Sequence, residues 1–143
     1  MTPTDKIKQF RSSYSRCTLD PDFITTFHKI FMNTSIEARE HMAHIHEDRQ
    51  RKMLEYALYL QMLAIDDNPD AKKCLADLGD THGKLAIGPN LYDHWLNSLI
   101  TAVDNYDGGL YPGIAGIWRE VLSPGIELMK RKHTQEVKLK AIS

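Results

Sequence analysis

Cysteine is scarce in this chain: Cys17 and Cys74 are the only two in 143 residues. Two thiols so far apart make no disulfide framework, so both are expected to be reduced, in a cytoplasmic protein. No run of about twenty apolar residues occurs, which excludes a membrane-spanning helix of ordinary length. An excess of one charge is missing as well. Eighteen basic side chains offset nineteen acidic ones, for a formal net charge of −1. No broad field therefore draws the protein to nucleic acid or to an anionic membrane. The opening "MTPTDKIKQF" lacks the basic-then-apolar order of a secretion signal. No window alternates as a strand, and no repeat or linker divides residues 1–143, so a single all-α domain is expected.

What the sequence does have is helical period. A first helix is expected from about Thr4 to Ser15. "TLDPDFITTFHKIFMNTS" starts a second beside Pro21, with Phe23, Phe27, Ile30 and Phe31 inward. "SIEAREHM" is a short helical turn before a corner. "EDRQRKMLEYALYLQMLAI" is the strongest helix, with Met53, Leu54, Ala57, Leu60 and Ala64 predicted inward. "DDNPDAKKCLADLGDTHGKL" begins on an Asx-Pro signal and ends near Gly83. Pro89 opens the next helix, whose apolar side holds Tyr92, Trp95, Leu96, Leu99 and Val103. After the loop "NYDGGLYPG" a last helix carries Ile114, Trp118, Val121, Leu122, Ile126 and Met129, bent near Pro124-Gly125. A charged tail is expected from about residue 133, with "MKRKH" read as a solvated helix end. Trp95 and Trp118 are expected to pack at helix contacts.

Seven histidines are the oddity of the composition. Within "LADLGDTHGKL", Leu75, Leu78, His82 and Leu85 fall on one helical face, so an imidazole stands in an apolar stripe. It is either a core histidine satisfied by one hydrogen bond or the ligand of a metal or cofactor. Spacing tests the second reading. A di-iron carboxylate bundle needs Glu-x-x-His pairs, and no Glu here precedes a His by three. The His-Glu-x-x-His of zinc peptidases is absent. "HMAHIH" supplies His41, His44 and His46 beside Glu40, Glu47 and Asp48, but no second cluster completes a four-ligand site; a solvated corner explains it. A single histidine facing a slot of Phe, Leu and Met is the arrangement a haem requires. The Leu78 carbonyl, four residues earlier, would hold one ring nitrogen and leave Nε2 for iron.

These residues resemble the globins, and most closely the bacterial single-domain globins and the globin domain of flavohaemoglobins. The likeness runs from about Asp5 to Lys132. Leu78, His82, Ile87, Pro89 and Tyr92 are similar to the stretch bearing the iron-binding histidine. "FHKIFMNTSIEAREHM" resembles the second helix and its corner, "DRQRKML" the start of the distal helix, and "AGIWREVLSPGIELM" the final helix with its Trp. The resemblance implies a globin fold, a three-over-three helical sandwich around haem b (iron protoporphyrin). His82 would be the proximal iron ligand, Gln50 the distal residue and Leu54 the wall one turn on. Phe27, Phe31, Met42, Met53, Leu78 and Ile87 would line the haem. His28 falls where flavohaemoglobins place a tyrosine that donates to bound dioxygen, and it is a candidate distal iron ligand, with His44 and His46 as lesser ones. Tyr92 matches a tyrosine that helps hold the proximal histidine. Arg49, Arg51, Lys52 and Lys84 are the cations available to propionates.

Three positions depart from the family pattern. The corner residue, almost always Phe in globins, is Met42, or His41 if the alignment slips by one. The acidic partner expected in the last helix is replaced by His133. No flavin or nicotinamide module follows within the 143 residues. The function implied is reversible binding of dioxygen, carbon monoxide or nitric oxide, for carriage, scavenging or nitric oxide detoxification with a separate reductase. A nitric oxide dioxygenase-type or peroxidase-type activity would be secondary. The alternatives are a haem-based gas or redox sensor acting through a partner, and a haem-free helical interaction module. Neither nucleic acid nor membrane is an expected partner, and either a monomer or a homodimer is compatible.

Overall fold

The computed structural model describes residues 2–84, 88 and 90–142. The expected site residue Ile87, with Leu85 and Pro89, lies outside these, as do the side chains of Lys84 and of residues 134–142. Among the described residues there are seven helices and no strand: α1 (Pro3–Leu19), α2 (Asp22–Thr34), α3 (Ile36–Met42), α4 (Glu47–Ile65), α5 (Pro69–Lys84), α6 (Asn90–Asp107) and α7 (Ile114–Ile142). No helix is long and apolar enough to cross a membrane, among the described residues.

Local chemistry sets the helix starts. Thr2 Oγ1 accepts from the Asp5 amide at 3.1 Å while the Asp5 carboxylate accepts from the Thr2 amide at 3.1 Å, a reciprocal cap ahead of Pro3. Ser35 Oγ accepts from the Ala38 amide at 3.1 Å to start α3. Asn68 Oδ1 accepts from the Ala71 amide at 3.0 Å to start α5. At α4 the cap is an imidazole: His46 Nδ1 accepts from the Asp48 amide at 3.2 Å. The chain reverses between α6 and α7 through Gly113, whose φ of 85° is in the left-handed region that glycine adopts without strain.

The helices pair α5 on α7, α4 on α5, α2 on α6 and α6 on α7, while α1 lies across α6 and α7. Trp118 is at the centre, wholly buried, meeting Phe10 edge-on at 4.8 Å between ring centroids. Its indole Nε1 donates to Ser13 Oγ at 2.9 Å, and Ser13 donates to Asp107 Oδ2 at 2.7 Å. Arg16 closes the network with two bonds to the Asp107 carboxylate at 2.7 and 2.8 Å, and its guanidinium covers the Tyr111 ring at 3.6 Å. Three helices are thereby locked at one end of the molecule by a fully paired polar group. Both cysteines are free thiols; burial pushes the Cys17 thiol up to about 11.

The stretch expected as a charged tail from about residue 133 is part of α7, which runs on to Ile142, and the His133 side chain at its start is 1% exposed. One expectation is corrected here. Met53 does not face inward: it is 43% exposed, and the buried side chains of α4 are Gln50, Leu54, Leu58, Leu60 and Gln61. Both Met53 and Leu54 fit an apolar stripe, but only one row of α4 can face the core, and Leu54 with Leu58 forms it.

Candidate functional site

His82, near the end of α5, meets Tyr92 of α6 and His133 of α7. His82 Nδ1 lies 3.1 Å from the Tyr92 hydroxyl, which lies 3.2 Å from Nδ1 of His133. The Tyr92 and His133 rings stand nearly perpendicular, 83° apart with centroids at 5.5 Å. Burial lowers the pKa of both imidazoles, and in His82 the charge-bearing groups of His133 and His41 add to it; Glu37 opposes the shift at His133. Burial also pushes the Tyr92 hydroxyl up to about 12. At neutral pH the relay is therefore two neutral imidazoles bridged by a protonated phenol.

One phenolic proton must serve two ring nitrogens, so the chain has a direction. If His82 Nδ1–H donates to the Tyr92 oxygen, Tyr92 O–H donates to Nδ1 of His133. That arrangement fixes the His82 tautomer with its Nε2 lone pair free, which is the nitrogen a metal takes. The partner of Nδ1 is thus a hydroxyl from the next helix rather than the expected Leu78 carbonyl. A hydroxyl both accepts and donates, so it can hand the bond on to α7, which a carbonyl cannot.

Backbone contacts place the relay. A Cβ at Gly79, one turn before His82, would stand 2.5 Å from the Met129 carbonyl oxygen, so α5 rests directly on the backbone of α7. Glu37 of α3 reaches across to the segment ahead of α6, where its Oε1 accepts from the Gly88 amide at 2.5 Å. Neither Gly79 nor Glu37 stood out in the sequence, because their partners lie far along the chain and no local pattern marks them.

Other expected site residues are distributed as follows. Phe27, Phe31 and Leu54 are buried in the core, Phe27 and Phe31 stacked at 5.9 Å, with Phe27 edge-on to Trp95. Leu78 is half-buried against the same core. Met42 is half-buried at the corner, and its carbonyl is bound by Gln50. The Gln50 amide nitrogen donates to the carbonyls of Met42 at 3.1 Å and Ile45 at 2.8 Å, so its hydrogens clamp the corner and are not available to a ligand in this arrangement. His28 is half-buried, its pKa lowered by burial and by the Arg51 charge, with Glu47 opposing. Arg51 extends 3.3 Å from Thr25 Oγ1. The "HMAHIH" histidines do not converge: His46 caps α4 and His41 is 3.7 Å from Glu37. No group of three His, Cys, Asp or Glu able to hold a metal ion occurs among the described residues.

No protein-family model matches the chain, and no curated protein sequence does. The chain is similar in structure to a Pseudomonas aeruginosa PAO1 protein described as structurally highly homologous to a human haemoglobin. The two align with a TM-score of 0.81 at 28% identity, over 90% of this chain and 98% of the other. The fold is globin-like. A lone imidazole does not cage a bare ion, since a closed metal site needs several protein ligands.

Proposed function

We propose that the protein binds haem b through Nε2 of His82 and takes up a diatomic gas reversibly. The observation that supports this best is the His82–Tyr92–His133 relay, which joins three separate helices and, run from His82 to His133, leaves Nε2 of His82 with its lone pair. A core histidine needs only one hydrogen bond to be satisfied; this one is held by a partner that is itself held. When bound, the haem supplies the iron centre at which dioxygen, carbon monoxide or nitric oxide is held.

The chain's own residues do the rest. Tyr92 orients His82 and keeps its Nδ1 proton engaged. His133 accepts the Tyr92 proton without adding a full negative charge. Phe27, Phe31, Leu54 and Leu78 keep water out, which strengthens any hydrogen bond made inside. His28, neutral by its burial, is the distal group we assign, as donor to bound gas or as sixth ligand, because Gln50 is committed to the corner. Electrons for nitric oxide detoxification would come from a separate reductase, and carriage or scavenging would need none beyond keeping the iron ferrous.

The test is the visible spectrum of the purified protein in ferric, ferrous and carbonyl forms. The expected result is a Soret band that His82→Ala removes while the helical signal is retained. A protein that remains colourless after haem reconstitution would overturn the proposal in favour of a haem-free interaction module.

A further inference from the structure

A cleft of about 440 Å³ opens where α1, α4, α5 and α7 meet, and none of His82, Tyr92 and His133 lines it. Its walls include Ile7, Leu75, Val121 and Leu128; Lys6 and Glu120, paired at 2.5 Å, stand at its surface end. Gln61 of α4 is part of the wall of this cleft. It is 2% exposed, yet neither its Oε1 nor its Nε2 has a hydrogen-bond partner, and no other buried side-chain polar atom among the described residues is left so. Buried amides are nearly always paired. Gln50, buried in the same helix, has its amide nitrogen doubly bonded.

The facing wall is shaped to leave this amide room. A Cβ at Gly125 would stand 2.9 Å from Gln61 Oε1 and 3.3 Å from its Cδ. Beside it, Pro124 has no N–H to give the Glu120 carbonyl one turn earlier. Both residues line the cleft. A mostly apolar pocket of this size with a buried polar group in its wall is the usual form of a small-molecule site.

We propose that this cleft is a second ligand site, which takes a small apolar molecule headed by an uncharged amide. What Gln61 lacks sets the head group: a donor for Oε1 and, beside it, an acceptor for Nε2. Another carboxamide or a lactam presents that edge. A carboxylate or a ketone brings acceptors only and leaves Oε1 unpaired. The apolar walls take the chain or ring behind the head. The site is independent of haem binding.

The experiment titrates octanamide, octanoate and 2-octanone, three probes of equal carbon number, into the ¹⁵N-labelled full-length protein as purified. The Gln61 side-chain amide resonance is followed by NMR. Octanamide is expected to shift it saturably and to bind at least tenfold more tightly than the other two. Gln61→Leu, which suits the apolar walls, should abolish that preference, Gly125→Val should block all three probes, and His82→Ala should leave octanamide binding unchanged. Equal affinity for the three probes would overturn the proposal, as would a preference that survives Gln61→Leu or is lost in His82→Ala. So would the absence of a saturable shift, with a bound water only on Gln61 in a crystal structure.

Discussion

The Tyr92 hydroxyl stands 3.2 Å from Nδ1 of His133, so the chain of hydrogen bonds from His82 ends on an imidazole of the last helix. A carboxylate there, the acidic partner of flavohaemoglobins, would draw on the Tyr92 proton with a full charge. A neutral imidazole accepts the same bond more weakly, since charge-assisted hydrogen bonds are roughly twice as strong as neutral ones. In the proposed haem protein His82 would therefore be held in orientation but pushed only moderately toward imidazolate character, a balance that would favour reversible gas binding over peroxidase-type chemistry.

Tyr92→Phe keeps the ring and removes the hydroxyl that joins the two histidines. The variant should fold, since the loss of one hydrogen bond costs about 1 kcal/mol. Haem affinity should fall by roughly ten- to a hundredfold, the usual effect of losing the partner of a ligating histidine. Competitive haem transfer to an apo-acceptor measures it. An unchanged affinity would mean that the relay does not orient His82.

Acid should destabilise the haem-free protein in a defined window. Burial lowers His28 and His133 below the ordinary value of 6.5. The unfolded chain therefore binds protons as pH falls through 6.5 while the folded chain still excludes them, so stability is full above that pH and declines as pH drops toward the folded values. Urea unfolding at pH 8, 7, 6 and 5.5 should show a plateau and then a fall. His133→Gln should make the fall shallower.

Gly79→Ala adds a methyl group where α5 rests on the Met129 carbonyl, with a contact of 2.5 Å that backbone alone must relieve. Overpacking of this kind costs about 1–3 kcal/mol, and the far side is a helix backbone that cannot swing away, so the upper end is expected. Thermal unfolding reads the loss. Because Gly79 precedes His82 by one turn, the Tyr92 bond should lengthen too, visible as altered ¹⁵N shifts of the His82 ring.

Asp107→Ala strips the shared acceptor from Ser13 and Arg16. The carboxyl is 5% exposed, and Arg16 holds it well below the usual carboxylate range. Removing one partner of a buried pair costs about 3–5 kcal/mol. Arg16 can turn to solvent, so about 3 kcal/mol is expected. Ser13→Ala, which leaves the ion pair intact, should cost less than half as much. Chemical denaturation of both variants checks the order.

Gln50→Leu tests the corner. With the Met42 and Ile45 carbonyls released, stability should fall by about 1–3 kcal/mol if they remain dry. The carbon monoxide off-rate of the haem-loaded protein should change by less than threefold. A much larger kinetic effect would return Gln50 to the distal role that the family resemblance gave it.

The elements were legible in the sequence where they had local causes. The bounds of the helix 47–65 follow from its own residues, and the order His82, Tyr92, His133 is visible in the chain. What the sequence could not give was the choice among equivalent partners. The Leu78 carbonyl and the Tyr92 hydroxyl both satisfy an imidazole, and only the distance between helices decides. Gln50 and Gln61 are the same residue on one helix, yet one is bonded and the other is not, because the corner folds back on the first and the second packs against Gly125, which has no side chain to bond it. Met53 was misplaced because α4 carries apolar side chains on overlapping rows. The charge of Lys130, Arg131 and Lys132 marks a solvated helix end, and nothing in that local pattern shows that the adjoining His133 imidazole is buried.

The bare seam at Gly79 has a mechanical consequence. With no side chain between them, α5 and the Met129 turn of α7 have no soft layer to absorb a displacement. Any pull on the ring of His82 along its helix must drag both helices together, and the strain would leave the molecule through the final three turns of the chain.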